Sequence, residues 1–147
     1  MTKEAQNLPS GFTIFCDDIR QEINGKVTFV GIYANTLFIA DELPVNLPKL
    51  CMGIFFRQKP ENSESFIVRV FGPNSDEAIH EFNLANSQDE FPSMKEWEFK
   101  EWRMFFEAPG FPVNQEGKVK VRAYIGDDVY RIGALKIQRA PAITKPD

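Results

Sequence analysis

Paired carboxylates are the commonest groups in this sequence that could do chemistry. Asp17-Asp18, Asp41-Glu42, Asp76-Glu77, Asp89-Glu90 and Asp127-Asp128 all fall where strand-like patterns give way to turns. In some β-sandwiches the loops at one end converge several carboxylates on Ca2+, a hard cation that takes about six to eight oxygen ligands. Asp17, Asp18, Asp127 and Asp128 are the candidates for a C2-like site of that kind. The spacing is not that of an EF-hand loop, and acidic residues favour turns for their own backbone hydrogen bonds. Ca2+ or ligand binding through these loops is therefore the alternative reading.

Other reactive groups are sparse. His80 shares a strand face with Phe82 and Leu84, a structural setting rather than that of a general base. The chain has neither a Gly-x-Ser-x-Gly elbow nor a phosphate-binding Gly-x-x-x-x-Gly-Lys-Ser/Thr loop. Cys16 and Cys51 sit among apolar residues and read as free, buried thiols acting as small hydrophobes. Pairing them would need an oxidising compartment that nothing else suggests. Two cysteines and one histidine fall short of a four-ligand zinc site. The expectation is a protein that is not an enzyme, with no catalytic residues and no cofactor.

Aromatic residues offer a different use. The chain has 14 Phe, and Phe91, Trp97, Phe99, Trp102, Phe105, Phe106 and Phe111 exceed what one face of one strand can bury. Phe105 also lies off the parity of Trp102, Met104 and Phe106. Phe91, Trp97, Trp102, Phe105 and Phe111 are therefore candidate interface residues, since aromatics dominate interaction hot spots. The competing reading is that the domain covers both faces of that segment itself.

Strands must position all of these residues. Between Gly117 and Ile137, Val119, Val121, Ala123 and Ile125 alternate with Lys118, Lys120, Arg122 and Tyr124, the period of a strand with one buried face. Gly126-Asp127-Asp128 is a turn. The return strand carries Tyr130 and Ile132 on one parity, then Leu135 and Ile137 on the other, so a β-bulge is expected at Gly133-Ala134. Further strands are expected over 12–17, in pieces of 26–40 broken at Gly31 and Asn35, and over 49–57, 65–71, 78–84 and 97–107. The nearly continuous apolar run Lys49–Arg57 reads as a central strand. Residues 41–48 read as a loop broken by Pro44 and Pro48, and Ala108-Pro109-Gly110 as a strand stop. In 97–107 helical and strand periods compete, and aromatic content favours strand.

With no long amphipathic helix, βαβ folds are disfavoured. About eight or nine strands separated by turns indicate an all-β, antiparallel β-sandwich, Ig- or C2-like, ending in a β-hairpin. Residues 1–11 read as an N-terminal arm, 12–138 as the sandwich and 139–147 as an extended C-terminal tail. At 147 residues, 43% of them hydrophobic, the chain is one domain that needs no disulfide or metal. Net charge of −4 and a pI near 5.1 argue against nucleic-acid and anionic-membrane partners. The opening residues lack a secretory h-region and no apolar run is long enough to span a bilayer, so a cytosolic location is expected.

Phe15-Cys16-Asp17-Asp18-Ile19-Arg20, Asn24-Gly25-Lys26 and Val30-Gly31-Ile32-Tyr33 together resemble the opening of an uncharacterised family of small bacterial and phage β-sandwich proteins. Leu47-Pro48-Lys49-Leu50 and the final hairpin fit the same layout, and the specific part lies within residues 15–33. The family has no assigned activity, so the resemblance brings no site residues. It implies a phage or a prophage-bearing bacterium as the source, with the bacterial cytoplasm or the virion as location. The expected function is a non-catalytic structural or interaction module, most concretely a decoration, head or tail accessory protein of a phage particle. Its partners would be proteins, either other virion components or further copies of itself.

Overall fold

The alternating segment at the C-terminal end forms the expected hairpin, β8 (Gly117–Ile125) and β9 (Asp128–Arg139). A computed structural model of the chain describes residues 7–62, 64–84 and 99–141. The hairpin closes on the two-residue loop Gly126-Asp127, with Ile125 opposite Asp128 and Gly126 at φ +55°, a conformation that favours glycine. The bulge is present, one residue earlier than expected. Val121 pairs with Gly133 but Arg122 pairs with Arg131, which leaves Ile132 as the extra residue. This shift lets Ile132, Leu135 and Ile137 all reach the core although their parities differ.

The other strands are β1 (Ser10–Gln21), β2 (Val27–Ile32), β3 (Thr36–Ile39), β4 (Val45–Gln58), β5 (Phe66–Phe71), β6 (Ala78–Leu84) and β7 (Lys100–Val113). They form a four-stranded sheet, β2-β1-β4-β7, and a five-stranded sheet, β3-β9-β8-β5-β6, packed as a sandwich. All pairings are antiparallel except β3 with β9, which run parallel with Thr36 opposite Lys136. β4 is central, and Leu50–Ile54 is buried on both faces, as its apolar run requires. A 3-10 turn, Ile23–Gly25, links β1 to β2. No helix among the described residues is long and apolar enough to cross a membrane.

Several boundaries differ from the sequence expectation, among them the end of β1, which runs on to Gln21. β1 begins at Ser10, opposite Arg57, so Ser10 and Gly11 belong to the sheet rather than to an arm. β4 begins at Val45, inside the expected loop, and β7 runs through Ala108-Pro109-Gly110 to Val113. Here the two strands extend beyond β1, whose pairing with β4 ends at Cys51. The ribbon Val45–Leu50 with Ala108–Val113 thus has free edges on both sides, so Pro48, Pro109 and Pro112 can be placed without breaking a ladder. Gly110, at φ +63°, marks a kink rather than an end. Below it Trp102 and Met104 face the core on even positions; beyond it Phe111 and Val113 do so on odd ones.

Phe15, Leu50, Met52, Ile54, Phe56, Trp102 and Phe111 from one sheet meet Val68, Val70, Val119, Val121, Leu135 and Ile137 from the other in the main core. β1 locks the layers together at the bulge. Thr13 Oγ1 donates to the Ile132 carbonyl at 2.9 Å, and a Cβ on Gly133 would fall 2.5 Å from that same oxygen. Only glycine lets the strands approach this closely. At one end Lys100, buried, donates to the Asn62 carbonyl at 2.9 Å, and Asn62 donates from its amide to buried Gln58. These bonds tie the β4–β5 turn onto the core.

Candidate interaction surface

The candidate aromatics go to different places. Phe91 and Trp97 lie outside the described residues. Trp102 and Phe111 are core residues, 7% and 1% exposed, and cannot form a surface patch. Trp102 packs edge-on against Phe66 at 5.1 Å, and Phe111 pairs with Leu47. Both are inner-facing positions of a strand that spans the height of the sandwich. Phe105 alone takes the opposite face. It is half-buried, 6.3 Å from the Phe29 ring, over a small second cluster of Cys16, Ile19 and Cys51.

The four candidate aspartates do not converge. Asp17 and Asp18 lie within β1, not in a loop. The Tyr33 hydroxyl donates to Asp17 at 2.5 Å; burial, then Asp17, pushes the Tyr33 phenol up to about 12. Lys49 Nζ donates to Asp18 at 2.5 Å and lies 3.9 Å from Glu107. That hydrogen bond holds the Asp18 carboxyl below its usual range. Asp127 sits in the β8–β9 loop and Asp128 opens β9. Among the described residues the three ligand-type side chains that do come together are Asp18, Cys51 and Glu107, with the Lys49 ammonium already beside both carboxylates.

Cys16 and Cys51 are free and fully buried, directly opposite each other across β1 and β4. They donate to the carbonyls of Asp18 at 3.4 Å and Asp17 at 3.6 Å. Burial, then the neighbouring Cys51, pushes the Cys16 thiol up to about 11, and burial raises Cys51 as well. Neither is a ready nucleophile at neutral pH. His80 is wedged between two rings, stacked on Phe106 at 4.6 Å and edge-on to Phe82 at 4.5 Å.

That wedge distinguishes the two flanks of the sandwich. β7 and β6 are the outer strands of their sheets on one side, and the His80, Phe82 and Phe106 rings fill the seam between them. β1 packs across on β9, so the other outer strands, β2 and β3, share the opposite flank. There Val30 is 42%, Ile32 61% and Phe38 60% exposed. Only residues 33–35 separate the two strands, so these exposed side chains sit on neighbouring edge strands. Sequence reasoning placed Val30 and Ile32 on strands but missed their exposure, because only the strand order reveals which strands end up at edges.

Residues 11–138 match a family of unknown function (DUF6941). The chain belongs to this family. The match spans the whole sandwich, from the second residue of β1 to the penultimate residue of β9. It agrees with the resemblance to an uncharacterised family drawn from residues 15–33. No curated protein matches the chain.

Proposed function

We propose that this protein is a non-catalytic interaction module that docks on another protein through the flank formed by β2 and β3. The observation that carries the reading is the asymmetry of the flanks. Aromatic rings fill one seam, whereas Val30, Ile32 and Phe38 stand exposed along the two strand edges of the other. Open edges carrying large apolar side chains are surfaces that proteins usually blunt or cover. In its most specific form the module is a decoration, head or tail accessory protein of a bacteriophage particle, present in the bacterial cytoplasm and then in the virion. The opening segment 15–33, which resembles bacterial and phage proteins, supports that form.

Size-exclusion chromatography with light scattering, together with sedimentation against purified particles, tests the proposal. The expected result is self-association or co-sedimentation that Ile32→Lys/Phe38→Lys abolishes while the melting temperature stays put, because exposed substitutions cost only about 0.5 kcal/mol or less. A wild-type protein that is strictly monomeric and joins no particle would overturn it.

A further inference from the structure

The outward face of the five-stranded sheet concentrates positive charge in a protein whose net charge is negative. Arg69 on β5, Arg122 on β8 and Arg131 on β9 stand opposite one another in a single rung. Lys118 and Lys136 form a second like-charged cross-strand pair, and Lys120 lies between the two rungs. Like charges directly opposite each other in a sheet repel and destabilise it. Glu81, at the end of the arginine rung, relieves Arg69 at 3.3 Å. Among the described residues, no carboxylate forms an ion pair with Arg122, Arg131, Lys118, Lys120 or Lys136.

The rung is held rather than loose. Arg122 Nη1 donates to the carbonyls of Val121 at 3.0 Å and Gly133 at 3.3 Å, so the bulge fixes its guanidinium. Burial, then Arg131, pulls Arg122 below its ordinary value. The Arg69 guanidinium lies 5.0 Å over the Tyr124 ring. Beside the rung runs an open groove of about 590 Å³, lined by Phe71, Asp76, Lys120, Arg122, Tyr124, Val129 and Arg131.

We propose that this face binds an extended acidic segment of a partner protein. Lys118, Lys120 and Arg122 point outward from alternate positions of β8, at steps of about 6.6–6.8 Å. Every second side chain of an extended peptide repeats at the same interval, so alternating carboxylates can meet successive cations and relieve both like-charged pairs. A short acidic segment needs only a local basic patch. A nucleic acid would need a basic footprint longer than this cluster of six cations, and the net charge of −4 disfavours such a partner. The inference is independent of the β2/β3 flank.

Fluorescence anisotropy at low salt tests it with three dye-labelled probes: a peptide alternating Ser and Glu, its Ser and Gln counterpart, and a short oligothymidylate. The Glu peptide should bind, the Gln peptide should not, and added salt should weaken the complex. Lys120→Gln/Arg131→Gln should reduce affinity roughly fivefold by removing two exposed charge contacts, with an unchanged melting temperature. Ile32→Lys/Phe38→Lys should leave this binding intact. Equal binding of the Glu and Gln peptides, wild-type affinity in the groove variant, loss of peptide binding in the flank variant, or tighter binding of the oligonucleotide would each overturn the assignment.

Discussion

Cys16 and Cys51 face each other across β1 and β4, on the side of the four-stranded sheet turned away from the main core. Phe29, Phe105 and Ile19 cover them, so this outer face carries a hydrophobic layer of its own. Lys49, Asp18 and Glu107 rim that layer with charge. The burial has a pH consequence. The folded Cys16 thiol holds its proton up to about pH 11, against an ordinary value of 9.0. An unfolded chain therefore releases this proton first as the pH rises. Its contribution to stability is complete below pH 9 and is lost progressively towards pH 11. Urea midpoints should fall between pH 8 and pH 10.5, and fall less in Cys16→Ala, which lacks this thiol and its repulsion of Cys51. Identical drops in the two proteins would show that the thiol is not held protonated.

At the scale of elements, local periodicity carries information about strands but little about their neighbours. The β8–β9 hairpin, its glycine turn and its bulge follow from alternation and a parity slip, because β8 lies inside the sheet with one face fully buried. β5 is equally regular. The β4–β7 ribbon was illegible in its outer half. Proline normally ends a strand, but Pro109 and Pro112 lie on the outer strand β7, and Pro48 lies past the point where β1 stops pairing with β4. For the same reason Trp102 and Phe111 were placed at an interface rather than in the core. The kink at Gly110 returns Phe111 to the core on the opposite parity from Trp102, a switch that cannot be seen without knowing that the strand continues. Phe111 therefore belongs to stability rather than recognition. Phe111→Ala should cost about 3–5 kcal/mol, as for other buried phenylalanines, measured by chemical denaturation. A loss below about 1 kcal/mol would mean that the side chain is not in the core.

At the scale of the whole molecule, the chain closes on itself late. β9 lies between β3 and β8, and its bulge receives Thr13 of β1. β3 thus finds its strand partner, and β1 its contact across the sandwich, only once the last strand is in place. Such long-range pairing also explains why the β2/β3 flank could not be read from sequence, since β3 is an edge only because β9 comes back beside it. Removing β9 would take Ile132, Leu135 and Ile137 out of the core and leave Leu37 and Ile39 of β3 without a sheet. All of these are 5% exposed or less. At about 1.5–3 kcal/mol for each buried side chain, the loss is of the order of 8–15 kcal/mol, comparable with the entire stability of an ordinary domain, about 5–15 kcal/mol. A chain ending at Gly126 should therefore show no cooperative thermal transition by circular dichroism, whereas the full chain melts in one. A cooperative transition in the truncated chain would mean that the four-stranded sheet folds without its partner layer, and that the last hairpin is an addition to the sandwich rather than its closing element.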